Sequence, residues 1–222
     1  MGIKSEWTRR AYEKLLLINI KNILKNNKIA YDEIQRKRGR IYIQTNNASE
    51  VASKLTSVFG ISSVSPAIET SSDMNKIVQK SVRLAAATIK SKSSFAVRCR
   101  RVGEHSYSSM DICKEVGRQI LTSLKDRSLR VELKNPQFTI NIEVREDEAY
   151  IFPETLRGVG GFPLGSQAKV VCLLSGGIDS AVACWLAMKR GCPIIPVYFD
   201  NTPYTDEAAT EKALDVARKL FE

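Results

Sequence analysis

The chain has 222 residues, 43% hydrophobic and 26% charged, with 34 Lys and Arg against 24 acids and a formal net charge of +10. That size accommodates more than one domain, and the balance is that of a soluble globular protein. No apolar run approaches the ~20 residues of a membrane span. The N-terminus MGIKSEWTRR lacks the apolar core of a signal peptide, and the five cysteines form no Cys-x-x-Cys pair, which excludes a zinc ribbon and fits a reducing cytoplasm.

The charge is unevenly spread: 12 Lys and Arg against 7 acids in residues 1–75, 16 against 10 in 76–167, and 6 against 7 in 168–222. A basic front on a near-neutral back suggests that one part handles a polyanion while another does chemistry. Self-solvating lysine-rich helices explain the charge alone equally well.

In chain order, Ala11, Leu15, Leu16, Ile20 and Ile23 recur at helical spacing and predict a helix over 6–26. The basic stretch RKRGR reads as a turn, and IYIQT as a strand. A second helix carries Val51, Leu55, Val58 and Phe59 and stops at Gly60, and ISSVSPAIE reads as a weak strand. This is a small ferredoxin-like layer, although such a fold should open with a strand and none precedes the first helix, so the front looks clipped. Asp73 is an N-cap for a helix burying Ile77, Val78, Val82, Ala85 and Ile89. FAVRCRR alternates, with Phe95, Val97 and Cys99 on one face and Arg98 and Arg100 on the other. Ser109 is read as the cap of a helix with Ile112, Val116, Ile120 and Leu124, after which RVEL, FTINIEV and AYIF give strands.

The glycine-rich RGVGGFPLGSQ (157–167) marks a linker, hinge or lid, with a domain boundary near Gln167. Strand (169–174), loop, helix (about 179–190), strand (194–199) and a helix from about Thr205 then form one βαβ unit with its second helix. A doubly wound sheet needs about five strands, so this last domain is expected to be partial. The domain reading is 1–74, 75–167 and 168–222.

Ligands of α/β sheets bind at the carboxyl ends of the strands, and SGGIDS falls there. Gly176 and Gly177 permit a tight turn that brings amides near a phosphate, the helix N-terminus adds positive potential, and Ser175 and Ser180 add hydroxyls. Asp179 would repel phosphate unless it holds a cation such as Mg²⁺ or orients the loop. No lysine of a P-loop kinase is present, so the loop suits a departing pyrophosphate. A plain strand–helix turn is the bland alternative.

LLSGGIDS resembles the signature loop of the N-type ATP pyrophosphatases (PP-loop enzymes). More narrowly, FAVRCRRVGEHSYSSMDICKEVGRQIL, VELKNPQFTINIEVREDEAYIF, GVGGFPLG and PVYFDNTPYTDEA are similar to the tRNA 4-thiouridine synthetases, or tRNA sulfurtransferases. The resemblance implies a multidomain α/β and α+β protein: a ferredoxin-like N-terminal part, a THUMP α+β domain and a partial, Rossmann-like PP-loop sheet. It implies that ATP with Mg²⁺ adenylates O4 of uridine 8 in tRNA and that sulfur from a persulfide-carrying protein or sulfide displaces AMP. The same activity in the family also feeds thiamine thiazole synthesis.

By position, the resemblance assigns the ATP site to Leu173, Leu174, Ser175, Gly176, Gly177, Asp179, Ser180, Tyr198 and Phe199, with Asp179 catalytic. For tRNA contacts the leading candidates on the THUMP-like segment are Arg98, Arg100 and Arg101, with Arg118, Lys134 and the RKRGR arginines behind them. The resemblance is compatible with a homodimer in which one subunit grips the tRNA that the other modifies. The family's sulfur-carrying cysteine is expected beyond Glu222, and Cys99, Cys172 and Cys184 sit at core-like positions. A non-enzymatic RNA-binding module and a PP-loop ligase with another acceptor remain open alternatives.

Overall fold

The structure, a computed structural model, describes residues 5–37, 39–201, 203–204 and 207–221. It forms two compact units: Met1–Val64 together with Arg157–Glu222, and Ser65–Leu156.

The first unit starts with α1 (Glu6–Asn26), whose N-cap Ser5 accepts a hydrogen bond from the Thr8 N–H. Leu16, Ile20 and Leu24 recur at four-residue spacing on its buried face, as the sequence pattern requires. A hairpin follows, β1 (Glu33–Lys37) and β2 (Arg40–Gln44), antiparallel from Glu33↔Gln44 to Lys37↔Arg40. The sequence reading missed β1 because its EIQRK composition is charged and only half-buried. Gly39 turns the hairpin with φ +76°, a conformation that costs other residues ~1–2 kcal/mol. The reading placed Arg38 in this turn; it lies outside the described residues. Next come α2 (Ala48–Leu55) and the two-residue β3 (Ser63–Val64). Val51, Leu55, Val58 and Ile61 close over α1 to form this unit's core.

ISSVSPAIE is two strands, not one. Pro66 cannot donate to a ladder, so the chain breaks after β3 and resumes as β4 (Ile68–Ser71), already in the second unit. There α3 (Met74–Thr88) is capped by Asp73, whose carboxylate accepts from the Lys76 N–H at 3.0 Å. After β5 (Ser94–Val102) comes α4 (Ser109–Ser123). Its N-cap is Ser108, one residue earlier than read, because Ser108 and Asp111 form a reciprocal capping box. The strands β6 (Arg130–Val131), β7 (Phe138–Arg145) and β8 (Glu148–Phe152) complete a five-stranded mixed sheet of order β4-β8-β7-β5-β6. Pairs β5–β7 and β5–β6 are parallel, and β7–β8 and β4–β8 antiparallel. Both helices cover one sheet face, where Phe95, Ile112, Val116, Ile120, Ile140 and Ile151 are completely buried.

The chain leaves through the two-residue β9 (Leu156–Arg157). It then forms β10 (Val170–Leu173), α5 (Ile178–Lys189), β11 (Ile194–Val197) and α6 (Glu207–Phe221). Thr205, read as the start of the last helix, lies outside the described residues. Strands β10 and β11 pair in parallel from Val170↔Ile194 to Leu173↔Val197, the βαβ geometry expected from the element order.

The glycine-rich stretch between β9 and β10 is stitched into the first unit rather than left as a free linker. The Gly60 N–H donates to the Gly160 carbonyl at 2.7 Å, Gly158 to Ser62 at 3.0 Å and Phe162 to Lys189 at 3.0 Å. The Asn19 side-chain amide reaches the Leu164 carbonyl at 3.0 Å, and that of Gln167 the Tyr12 hydroxyl at 2.9 Å. Two of its glycines serve close packing: a side chain on Gly158 would collide with the Ile61 carbonyl, and one on Gly161 with the Lys189 carbonyl. Phe59 meets Trp185 edge-on at 5.6 Å, so α5 packs against the amino-terminal segment of the same unit.

Candidate functional site

Strand β10 ends at Leu173, and the Leu174 N–H adds one more ladder bond, to the Val197 carbonyl at 2.8 Å. The loop Ser175–Gly177 then delivers the chain to α5. The serine hydroxyls close this loop on itself. Ser180 Oγ accepts from the Ser175 N–H at 3.1 Å, lies 3.0 Å from Ser175 Oγ, and is within donating reach of the Gly177 carbonyl at 3.0 Å. Ser175 Oγ accepts from the Gly177 N–H at 3.2 Å. These bonds fix the loop's shape before any ligand arrives.

Neither Gly176 nor Gly177 has a positive φ, so the turn itself does not require glycine. At Gly176 the space a Cβ would need is taken by the Lys212 stem, with Cγ and Cδ each 3.0 Å away. At Gly177, the N-cap of α5, a Cβ would meet only Ser175 Oγ at an ordinary 3.4 Å. Gly177 provides no side-chain cap, so the first-turn N–H groups of α5 have neither helical partners nor a capping oxygen, and the helix dipole adds positive potential there.

A cavity of about 570 Å³ opens at this end of the strands. Leu173, Leu174, Ser175, Gly176 and Gly177 line one side, and Tyr198, Phe199 and Asn201 another. Ala209 and Lys212, one turn apart on α6, supply the rest. Leu174 is 5% exposed and belongs to the core, whereas Phe199 is 66% exposed, which rules out ordinary strand-end packing for that ring. Tyr198 is half-buried, and its hydroxyl accepts from Thr210 Oγ1 at 3.4 Å. Asp179 is exposed in the first turn of α5 and does not line the cavity. The sequence reading missed Asn201, Ala209 and Lys212. The one signal available was the three-residue spacing of Ala209 and Lys212 on a helical face.

None of the cysteines lines the cavity. Burial pushes the Cys184 thiol up to about 11, with the neighbouring Cys172 adding to the rise. In the second unit, burial and the proximity of Cys113 push Cys99 up to about 11. Thiols of this kind stay protonated and inert at neutral pH.

The predicted nucleic-acid contacts divide by location. Arg98 and Arg100 are exposed on the sheet face of the second unit opposite α3 and α4. Neither makes an ion pair among the described residues. Arg101 lies on the alternate face, where it donates to the Gly103 carbonyl at 3.3 Å and stands 3.4 Å from His105 Nδ1. Arg118, on α4, forms a bidentate pair with Glu115 at 2.7 and 3.1 Å, so its guanidinium is already engaged. Lys134 is exposed just after β6. The structure thus brings Arg98 and Arg100 together and leaves Arg101, Arg118 and Lys134 elsewhere.

The fold is that of a multidomain α/β and α+β protein, with a cavity bounded by the SGG loop at the start of α5. Family models match along the whole chain: the ThiI ferredoxin-like domain over residues 1–65, the THUMP domain over 71–154 and the thiamine biosynthesis protein (ThiI) over 165–222. The probable tRNA sulfurtransferase of Methanosarcina acetivorans is 41% identical over 99% of this chain and 54% of its own length. That of Thermococcus kodakarensis is 38% identical over 99% and 57%. Among solved structures, PH1313 from Pyrococcus horikoshii superposes with a TM-score of 0.85 at 35% identity, covering 99% of this chain and 71% of that one. A 4-thiouridine synthetase–RNA complex with bound ATP superposes at 0.83 with 32% identity, covering 100% and 56%. This chain belongs to the tRNA sulfurtransferase (4-thiouridine synthetase) family. It spans about half the length of the curated relatives it matches.

Proposed function

We propose that this chain is the tRNA-gripping and ATP-binding part of an enzyme that makes 4-thiouridine at position 8 of tRNA. The observation that carries this reading is the cavity at the carboxyl ends of β10 and β11, where the SGG loop and the uncapped start of α5 meet the exposed ring of Phe199. The amides and helix dipole suit a polyphosphate, and the aromatic strand end suits a nucleoside. The solved relative carries both RNA and ATP.

In the reaction, uridine O4 attacks the α-phosphorus, pyrophosphate departs, and O4 then carries AMP. Sulfide adding at C4 expels AMP together with that oxygen; from a persulfide, the outer sulfur adds at C4 with the same loss of AMP, and a second thiol then cleaves the S–S bond and leaves with the carrier sulfur as a disulfide. Mg²⁺ would neutralise phosphate charge, with Asp179 as its protein carboxylate. Among the described residues no trio of His, Cys, Asp or Glu could hold a metal unaided, and Mg²⁺ commonly takes one carboxylate plus phosphate oxygens. None of these five cysteines lines the cavity, so none of them is placed to hand over the sulfur, whose source is a persulfide-carrying protein or sulfide, and the same sulfur activation can serve thiazole synthesis. Arg98 and Arg100 give affinity for the tRNA backbone rather than base recognition.

The test is ATP–pyrophosphate exchange and ATP binding, each with and without tRNA, on this chain and on a chain of the relatives' full length. Exchange that requires tRNA, with 4-thiouridine formed by the longer chain, is the expected result. Exchange indifferent to tRNA, with no 4-thiouridine made, points to a ligase acting on another acceptor and overturns the proposal. Asp179→Ala should abolish exchange and leave tRNA binding intact.

A further inference from the structure

The SGG loop contains no lysine, yet a lysine lies across it. Lys212 is the only cation among the described residues lining the cavity. It sits one helical turn beyond Ala209 on the α6 face turned to the loop, and the adjacent Ala213 anchors that helix in the core at 2% exposure. The Lys212 stem runs over Gly176, with Cβ, Cγ and Cδ standing 3.3, 3.0 and 3.0 Å from where a Gly176 Cβ would be. Gly176 is not among the residues with positive φ, so what a side chain there would meet is this stem rather than backbone strain. Lys212 is exposed and makes no hydrogen bond or ion pair among the described residues. A lysine stem laid over a loop of amides, its ammonium without an ion pair among the described residues, suits an oxyanion.

We propose that Lys212 binds the terminal phosphates of the nucleoside triphosphate, supplying from α6 the charge that a P-loop kinase carries within its loop. The assignment rests on the nucleotide reading of the cavity given above. It divides the site: the aromatic strand end holds the nucleoside, and Lys212 with the loop holds the β- and γ-phosphates. Ligands sharing those phosphates depend on Lys212, and AMP does not.

The experiment is calorimetric titration of the 222-residue chain with ATP, AMP and inorganic pyrophosphate, for the wild type, Lys212→Met and Lys212→Arg. Methionine keeps the stem against Gly176 and removes the charge, and the exposed position lets both variants fold. Loss of one charge-assisted hydrogen bond predicts about tenfold weaker ATP and pyrophosphate binding in Lys212→Met, with AMP unchanged and Lys212→Arg largely restored. Unchanged ATP and pyrophosphate affinity in Lys212→Met overturns the assignment, and so does an equal loss for AMP, which would mean that the stem only shapes the pocket. Pyrophosphate binding that depends on Lys212, in a wild type that ignores ATP and AMP, sinks the nucleotide reading while the phosphate assignment stands. Failure of all three ligands to bind the wild type overturns both.

Discussion

The N–H of Phe162 donates to the carbonyl of Lys189 at 3.0 Å, tying the glycine-rich segment to the last turn of α5. The preceding Gly161, at φ +81°, lies so close that a Cβ there would overlap the same carbonyl. Gly161→Ala therefore combines backbone strain with a collision that α5 must relieve by moving. A loss on the order of 2 kcal/mol or more is expected. Gly160→Ala is the comparison, because Gly160 has φ +69° but open space around its Cβ position and should show the strain alone. Urea unfolding of both variants separates the two effects; equal losses would contradict the close packing.

Capping of α4 can be tested in the same way. Replacing Ser108 by Ala removes its half of the reciprocal box with Asp111 and should cost about 1 kcal/mol. Hydrogen bonds from the Ser108 N–H and hydroxyl hold the Asp111 carboxyl below its ordinary range. With the folded carboxyl the stronger acid, its contribution is complete above the unfolded value of 3.8 and fades as the pH falls below it. Wild type and Ser108→Ala should therefore converge in stability as the solution is acidified, as followed by circular dichroism.

The thiols predict the opposite pH response. Cys99 and Cys184 titrate near 11 in the folded chain, against an ordinary 9.0. Between those values the unfolded chain has released protons that the folded chain retains, so the thiols' contribution is whole below pH 9 and is lost as the pH climbs toward 11. At pH 8, iodoacetamide should label both positions much more slowly in the native chain than in urea, which peptide mass spectrometry can measure. Rapid native labelling of either would show a thiolate in the fold.

On the tRNA contact proposed for β5, Arg98→Gln with Arg100→Gln should weaken binding across tRNA sequences. The dependence of log affinity on log salt should flatten by about 0.7–0.9 for each phosphate that the variant no longer neutralises. Arg118→Gln should change little, because Glu115 already neutralises that guanidinium. Filter binding at several salt concentrations decides, and an Arg118 effect equal to that of the β5 pair would relocate the interface to α4.

Features written in local pattern could be read from the residues. The Asp73 cap of α3 is a contiguous signal and stands where the sequence put it; of the α1 stripe Leu16 and Ile20 are buried as read, Ala11 is exposed, and Tyr12 and Leu24 complete the buried face. The order strand, SGG loop, helix, strand was legible for the same reason, and the elements stand in that order. Strand β1 escaped because its residues are charged and RKRGR reads as one basic patch. The glycines of 157–167 read as a linker, since local sequence does not disclose that Ile61 and Lys189 press against them. Lys212 escaped most completely. Its meaning depends on thirty-odd intervening residues folding so that α6 lies beside Gly176, and no periodicity reports that distance.

The way the first unit is assembled also sets a timetable. The bond from Asn19 to Leu164 spans 145 residues, and that from Gln167 to Tyr12 spans 155. At the ribosome's pace of roughly 5–20 residues per second, helix α1 waits about ten to thirty seconds for the partners that cover Tyr12 and Asn19. The second unit has all of its strands by Leu156 and can close in the meantime. During synthesis the second unit is therefore finished first, and α1 stays open until the glycine-rich segment 157–167 emerges to meet it.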